Sequence, residues 1–151
     1  VVMKFTIESF RACEVESRPL QVAHWSETEE FRHRFDFNPD HALRFRMEES
    51  GNFVYATART DEGKLVGHCS FTIRPRSFYS ENSQAFEDFV FINPENRRGR
   101  NFLRLWNACE EELKRRGVKE LRVSSNADKS RLWESLGYKE VTRTYCKIVG
   151  D

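Results

Sequence analysis

Residues 89–105 read FVFINPENRRGRNFLRL, and this stretch decides the fold. An apolar run typical of a strand ends at Pro94, a basic loop with one glycine follows, and a helical pattern begins directly after it. A helix N-terminus presents unpaired N–H groups and the positive end of its dipole, and Gly99 lets the backbone approach an anion closely. Arg97, Arg98 and Arg100 add positive charge. The stretch predicts a pyrophosphate-binding loop, with a solvated basic turn as the alternative on composition alone.

The helix after this loop has the clearest periodicity in the chain. Between Gly99 and Gly117, one stripe at helical spacing carries large apolar residues and a cysteine: Phe102, Leu105, Trp106, Cys109 and Leu113. The acidic residues at 110–112 each precede a basic residue by four positions, which is typical of a solvated helix face. Gly117 suits a left-handed C-terminal cap. A Walker-type phosphate loop is excluded, because no Gly-Lys-Ser/Thr sequence follows.

The rest of the chain alternates strand-like and helix-like runs. Strands are predicted at residues 3–10, 53–59, 64–74, 85–92, 118–124 and 138–149, with a tight hairpin turn at 61–63. Helices are predicted at residues 11–35 with a break at Pro19, and at 41–49, 99–117 and 128–136. Hairpin strands come first and a βαβ unit follows. This order predicts one α/β domain, spanning residues 1–151, with a mixed, mostly antiparallel sheet and helices on both faces.

Composition narrows the class of protein. The chain has 151 residues, 38% of them hydrophobic and 32% charged, which fits one globular domain and excludes a disordered chain. A net charge of +1 does not favour nucleic-acid binding. The four cysteines and four histidines are too dispersed for a metal site or a Cys-x-x-Cys pair. We find no apolar run of membrane-spanning length and no signal peptide, so we expect a cytoplasmic protein without membrane association.

Two segments resemble landmarks of the Gcn5-related N-acetyltransferase (GNAT) superfamily. INP at residues 92–94 and RGR at 98–100 resemble the Val-x-Pro-like strand end and the Arg/Gln-x-x-Gly-x-Gly/Ala signature that opens the third helix of that family. Asn126 and LWESLGY at residues 132–138 resemble its C-terminal Asn-x-x-Ala-x-x-Leu-Tyr-x-x-x-Gly-Phe stretch. The resemblance spans the chain in element order, which predicts the GNAT fold.

Within this superfamily, the chain is most similar to small acetyltransferases encoded in tailed-phage genomes. The shared features are a His-Trp pair near the N-terminus, an aromatic loop before the fourth strand and an acid within that strand. Here they are His24-Trp25, Phe78-Tyr79 and Asp88.

The chain departs from the family pattern in two places. Aligning Arg98 with the first signature residue puts Asn101 and Leu103 at the glycine positions, and aligning Gly99 with the first glycine puts Asn96 and Asn101 at the flanks. Either alignment lacks a glycine of the pyrophosphate cradle. In the C-terminal landmark, Trp133 stands where many members have a tyrosine that protonates the departing thiolate, and an indole cannot serve as that acid at neutral pH.

The resemblance implies transfer of an acetyl or small acyl group from CoA to an amine, by direct attack in a ternary complex and without a metal. It implies that backbone near Phe91 and Ile92 holds the pantetheine arm as an added strand. The remaining donor-site residues would be Arg97, Arg98, Gly99, Arg100, Asn101, Phe102 and Asn126. The acceptor pocket would include His24, Trp25, Glu27 and Tyr79.

An amine nucleophile must lose a proton, and two acids on the fourth strand are candidate bases. Regular strand alternation places Asp88 with Phe86, Val90 and Ile92, and Glu87 with Phe89 and Phe91. Asp88 is the preferred base, because an acid on an apolar face needs a reason. The alternative is a hydrogen-bonded structural carboxylate. His68 is expected to be a half-buried structural histidine.

Two other functions fit the same fold. The first is a non-catalytic acyl-CoA-binding or host-interaction module, which the missing glycine and Trp133 favour. The second is a transferase directed at nucleic acid, which Arg97, Arg98 and Arg100 favour and the near-zero net charge opposes. The acceptor could be a protein lysine, an N-terminus, a small amine or a modified base. The oligomeric state is open.

Overall fold

A computed structural model describes residues 2–28, 35–74, 81–125 and 127–150. The strands in these residues are β1 (Met3–Ile7), β2 (Phe53–Thr60), β3 (Leu65–Arg74), β4 (Gln84–Ile92) and β5 (Glu120–Arg122). The helices are α1 (Phe10–Glu27), α2 (His41–Glu49), α3 (Asn101–Arg115) and α4 (Ser130–Ser135). Short 3-10 turns lie at Pro94–Asn96 and Ala127–Lys129. No helix in the described ranges is both long enough and apolar enough to cross a membrane.

The five strands form one mixed sheet in the order β1-β2-β3-β4-β5. The first four strands are antiparallel neighbours, and β5 runs parallel to β4. Strand β5 pairs with only the first part of β4, from Gln84 to Phe86. The predicted α/β class, with a mostly antiparallel sheet and helices on both faces, is confirmed. The short β4–β5 contact leaves the second half of β4 with one neighbour.

Helix α3 covers one face of the sheet. The predicted stripe is confirmed, because Leu105, Trp106, Cys109 and Leu113 are buried and Phe102 packs against the same core. On the strand side the core consists of short and β-branched residues with one large ring, including Val54, Ala56, Cys69, Phe71 and Ile92. Full burial of a large apolar side chain contributes roughly 1.5–3 kcal/mol, so this stripe is a main source of stability.

Helices α1 and α2 cover the opposite face, where Phe10 is the centre of an aromatic cluster. Its ring lies 5.1 Å from the ring of Tyr55, 5.5 Å from Phe53 and 5.8 Å from Phe45 of α2. Helix α2 has no fully buried residue, so its half-buried Phe45 and Met47 and a set of polar contacts together fix its position. The Glu48 carboxylate of α2, for example, accepts a hydrogen bond from the Phe10 backbone N–H at 2.6 Å.

A second polar contact joins α2 to α1. The buried Glu14 carboxylate lies 2.7 Å from Nδ1 of His41 and accepts a 3.0 Å hydrogen bond from Nε of Arg18. Gln21 Oε1 lies 2.9 Å from the other ring nitrogen of His41. These contacts hold the first turn of α2 against the middle of α1.

Three predicted boundaries are wrong for local reasons. Phe10 was assigned to the first strand, but Ser9 caps α1 through the Ala12 N–H, so the helix begins at Phe10. Pro19 was expected to break the helix, yet α1 is continuous through it. The exposed Pro19 removes one hydrogen bond on the solvent side, while Ser17 and Leu20 keep the buried face in place.

The predicted strand at residues 138–149 is also wrong, since the described residues 139–150 have no regular secondary structure. Val141, Tyr145 and Val149 are exposed, at 60%, 87% and 89%. Residues four apart share a face of a strand, but Arg143 and Lys147 lie on that face between them, so the run has no continuous apolar face. Tyr138 alone remains packed, with its ring 5.7 Å from that of Trp133.

His68 lies within the sheet and is 1% exposed, more buried than expected. Nδ1 of its ring is 2.8 Å from the hydroxyl of Tyr55, and its ring is 4.6 Å from that of Phe89. Burial lowers the pKa of His68 to about 3, and burial also raises the pKa of Tyr55. Burial therefore favours the neutral imidazole, whose Nδ1 shares a hydrogen bond with the Tyr55 hydroxyl.

This pKa predicts a loss of stability in mild acid. Between the unfolded value near 6.5 and the folded value near 3, the unfolded chain binds a proton that the folded chain does not, so stability falls as pH falls. His68→Gln keeps an acceptor for Tyr55 without titrating. Urea unfolding should show that the wild type loses about 2 kcal/mol more than His68→Gln between pH 7 and pH 5. Equal losses in both proteins would contradict a neutral buried His68.

Candidate active site

A β-bulge interrupts the pairing of β3 with β4 at Asp88. Ser70 lies opposite Phe89, whereas Phe71 lies opposite Glu87, so Asp88 is an extra residue in β4. Beyond the bulge, Phe89 packs in the aromatic cluster on the α1–α2 face. The bulge thus reverses which side chains of β4 face α3.

The end of β4 has an unpaired edge. Gly67 lies opposite Ile92, and the Asn93 N–H donates to the Val66 carbonyl at 2.8 Å, so Ile92 occupies a non-hydrogen-bonded position relative to β3. Its N–H and C=O, and those of Val90 two residues earlier, point away from β3. Strand β5 does not pair with β4 beyond Phe86. An extended ligand can therefore add to β4 as a strand at this position.

The loop after β4 leads from this edge to the N-terminus of α3. Gly99 has a φ of +59°, a left-handed conformation that turns the chain into the helix. No side chain caps α3. In the described part of the chain, the backbone N–H groups of Phe102 and Leu103 form no hydrogen bond. Arg98 and Arg100 are exposed beside them. The first turn of α3 thus combines free donors, the dipole and two cationic side chains.

Arg97 points back from this loop rather than outward. Its Nε donates to the Ile92 carbonyl at 2.6 Å, and its Nη2 donates to both carboxylate oxygens of Glu27 at 2.7 and 3.0 Å. Its guanidinium carbon lies 5.0 Å from the centre of the Phe91 ring. Arg97 therefore joins the loop to the last turn of α1.

The last turn of α1 lies against the α1–α2 side of β4. The His24 ring stacks on Phe91 with centres 5.4 Å apart, and the Trp25 ring lies 5.7 Å from that of Phe37. Phe37 is 40% exposed. The His24–Phe91 stack forms an aromatic wall beside the unpaired end of β4.

At the bulge, Asp88 forms a bidentate ion pair with Arg44 of α2. Arg44 Nε donates to Oδ2 at 2.8 Å, and Nη2 donates to Oδ1 at 3.0 Å. The two side chains are 25% and 19% exposed, so the pair is half-buried and reachable from solvent. One stretch of β4 and its loop thus provides a strand edge that is open to an extended ligand, a site for an anion and a fixed carboxylate.

The sequence profile of the Acetyltransferase (GNAT) family matches residues 12–138. The chain belongs to the GNAT family. No curated protein matches this chain in sequence. Members of this family use acetyl-CoA to acetylate amines, so the protein is an acetyltransferase.

Solved GNAT structures share the fold at low identity. Glucosamine-6-phosphate N-acetyltransferase from Arabidopsis thaliana has a TM-score of 0.74 and 13% identity, covering 99% of this chain and 100% of that one. A GCN5-related N-acetyltransferase from Ralstonia eutropha JMP134 has a TM-score of 0.76 and 13% identity, with coverage of 99% and 100%. AAC(6')-Iy, in complex with the bisubstrate analogue CoA-S-monomethyl-acetylneamine, has a TM-score of 0.74 and 15% identity over 100% of both chains.

Most of the predicted GNAT site residues lie in one region. The loop and first turn of α3 bring together Arg97, Arg98, Gly99, Arg100, Asn101 and Phe102. Asn101 donates from its side chain to the Asn96 carbonyl at 2.9 Å, and Phe102 stacks on Trp106. Both side chains therefore shape the loop from inside the protein. Tyr79 and Asn126 lie outside the described residues.

The predicted faces of β4 are wrong, because regular alternation ignores the bulge. Asp88 faces α2 together with Phe89 and Phe91, instead of sharing a face with Val90 and Ile92. Glu87 lies opposite Phe71 and so shares the α3 face, instead of sitting with Phe89 and Phe91. Asp88, the preferred base, therefore lies on the same side of β4 as the aromatic wall, because the bulge turns it toward α2.

One further expectation changes in detail, and one residue of the site was not predicted from the sequence. The Phe91 backbone points toward His68 of β3, so the unpaired backbone groups belong to Val90 and Ile92. Strand alternation gives the direction of these backbone groups once the pairing of Phe91 with His68 is known. Arg44 was not identified, because nothing local in the sequence marks an arginine 44 residues before its partner.

Trp133 is a packing residue of the α3–α4 side. Its ring lies 4.8 Å from Trp106 and 6.0 Å from Phe102, and its indole N–H is buried without a partner in the described part of the chain. The Tyr138 hydroxyl, by contrast, donates to Glu110 at 2.5 Å. Burial and this hydrogen bond raise the pKa of Tyr138. Neither side chain therefore presents a readily lost proton.

The arginines of the α3 loop can be tested directly. Arg98→Glu with Arg100→Glu should weaken CoA binding at least tenfold in calorimetry, because each charge-assisted phosphate contact contributes roughly 1.5–3 kcal/mol. Lys114→Glu with Arg115→Glu, at the other end of α3, is the matched control and should leave the affinity unchanged. An equal effect of both double substitutions would indicate a non-specific charge effect, and no effect of either would move the anion site elsewhere.

Proposed function

We propose that this GNAT enzyme transfers an acetyl or small acyl group from its CoA thioester to an amine by direct attack in a ternary complex. The observation that carries the proposal is the unpaired edge of β4, which leads directly into the uncapped N-terminus of α3. The edge supplies backbone partners for an amide-containing arm, and the helix supplies N–H donors for a pyrophosphate. The bound donor provides a thioester carbonyl as the electrophile, and the products are an amide and the free thiol of CoA.

The residues present fit this donor despite the missing signature glycine. Gly99 supplies the left-handed turn, and the N–H groups of Phe102 and Leu103 are free of side-chain caps. Asn101 occupies a glycine position of the signature, but its side chain bonds to the Asn96 carbonyl instead of filling the helix N-terminus. Backbone N–H groups therefore remain available to an anion.

The acceptor is proposed to approach from the α1–α2 side. The stacked rings of His24 and Phe91 form an aromatic wall there, and the Asp88 carboxylate lies on the same side. Aromatic faces and a carboxylate together favour a cationic group, which is the resting state of an amine. The acceptor class itself is best found by a screen of small amines, peptides and nucleosides with thiol release as readout.

The amine must lose a proton before it attacks. An alkyl ammonium has a pKa near 10.4, so fewer than about one molecule in a thousand is neutral at pH 7. Asp88 is the proposed proton acceptor, directly or through one water, because it is the β4 carboxylate on the acceptor side. Arg44 fixes its orientation through two hydrogen bonds. Glu87, on the α3 face, and bulk water are the alternatives.

Paired substitutions separate a base from a structural ion pair. Asp88→Asn should lower turnover roughly 10²-fold at pH 7, and the loss should shrink as pH rises and free amine becomes abundant. Arg44→Gln should lower turnover far less than Asp88→Asn does, because it leaves the Asp88 carboxylate in place and removes only the side chain that orients it. Both variants should lose about 1 kcal/mol of unfolding free energy. If turnover falls by the same factor in both, at every pH, the ion pair is structural and Asp88 is not the base.

The second candidate function is an acyl-CoA-binding protein without catalysis. The observation that favours it is Trp133, which packs in the core and leaves the site without the family's usual acid. Intact mass spectrometry of the protein with acetyl-CoA, followed by the acceptor screen, decides between the two. CoA binding with thiol release in any acceptor well supports the enzyme. Binding without release in every well supports the second function.

A further inference from the structure

Arg97 contacts the part of β4 with which the pantetheine arm of CoA would have to pair. Its guanidinium donates to the Ile92 carbonyl, which is one of the unpaired polar groups on the open edge of β4. Its remaining contacts are with the Glu27 carboxylate and the Phe91 ring. The same side chain therefore covers the edge, is held by an acidic residue of α1, and sits in the basic loop before α3.

These positions create a competition for one cation. A pantetheine arm that adds to β4 needs the acceptor oxygens of the edge, and Arg97 already occupies that of Ile92. A pyrophosphate at the α3 loop attracts the guanidinium, since arginine binds phosphate in the same bidentate manner as carboxylate. Arg97 cannot satisfy Glu27 and a pyrophosphate fully at once, because Nη2 already donates to both Glu27 oxygens and a bidentate phosphate contact uses the same nitrogen.

We propose that Glu27 is a positioning residue for the acyl donor. Its carboxylate holds Arg97 across the open edge of β4, and the Arg97 guanidinium moves from Glu27 to the pyrophosphate when the donor binds. This inference rests on the proposed CoA site. Glu27 lowers the affinity for CoA because its ion pair must break before the donor is fully bound. Arg97 has two opposite effects: it binds the pyrophosphate, and it blocks the strand edge.

The energetic scale supports such an exchange. The Arg97 and Glu27 side chains are 41% and 45% exposed, so water screens their attraction, and such a pair alters an affinity by about fivefold or less. A doubly ionised pyrophosphate beside free N–H donors is a stronger partner than one screened carboxylate. The pair is therefore weak enough to break on binding and strong enough to alter the affinity measurably.

The position of Glu27 links the exchange to the acceptor side. Glu27 belongs to the last turn of α1, one turn after His24, whose ring stacks on Phe91. When Arg97 leaves, this turn loses its ion pair with the loop while the stacked ring keeps its place on β4. Donor binding thereby frees a carboxylate beside the aromatic wall.

The test compares CoA with pantetheine, which has the arm but no pyrophosphate, as ligands of the full chain. Glu27→Gln should tighten CoA binding about three- to fivefold, the range that an exposed ion pair allows. Glu16→Gln is the matched control, because Glu16 lies on the same helix, is 47% exposed and pairs with Arg59 instead. It should leave CoA affinity unchanged. Calorimetry measures CoA, and NMR titration measures the weaker pantetheine.

Arg97→Gln provides the sign test. It should weaken CoA binding about tenfold, through loss of the phosphate contact, and tighten pantetheine binding about threefold, through release of the Ile92 carbonyl. A purely structural role of Arg97 would weaken both ligands together, and that result overturns the proposal. CoA binding that is unchanged by Glu27→Gln also overturns it while leaving the CoA site intact. If wild-type protein binds no CoA, the proposed function fails and this inference fails with it.

Discussion

The structure depends on one stretch of strand β4 whose outward-pointing backbone groups do not pair with another strand of the sheet. Strands β4 and β5 are paired at Gln84–Phe86, and beyond that point no strand in the described part of the chain lies on the side of β4 that faces away from β3, where the backbone groups of Val90 and Ile92 point. An unpaired strand edge inside a compact protein is costly unless something covers it. Here Arg97 covers the Ile92 carbonyl, and the loop it belongs to continues into α3. The same vacancy that costs stability provides a template for an extended ligand.

The bulge at Asp88 gives this edge its chemistry. In a strand of regular alternation, Asp88 and Phe89 would face opposite sides of the sheet. With the extra residue, the Asp88 carboxylate faces α2 on the same side on which Phe91 contacts His24. Arg44 of α2 then holds the carboxylate in one orientation. Donor and acceptor sides of the site thus share a single strand.

The sequence predicted what local periodicity controls. The α3 stripe, the hairpin between β2 and β3, the limits of α2 and the strand–loop–helix unit all follow from spacing within one element, and the structure confirms them. The faces of Asp88 and Glu87 could not be predicted, because a bulge is defined by the partner strand. The Arg44–Asp88 and Arg97–Glu27 pairs could not be predicted either, since they join residues 44 and 70 positions apart. The C-terminal run has strand-like residues without a strand's apolar period.

The central proposal is that the pantetheine arm of an acyl-CoA pairs with the open edge of β4. Residue-resolved amide hydrogen exchange by NMR, with and without CoA, tests this pairing most directly. The amides of Val90 and Ile92 should become strongly protected when CoA binds, while those of Phe89 and Phe91, already directed at β3, should change little. If Val90 and Ile92 exchange as fast with saturating CoA as without it, the arm does not pair with β4.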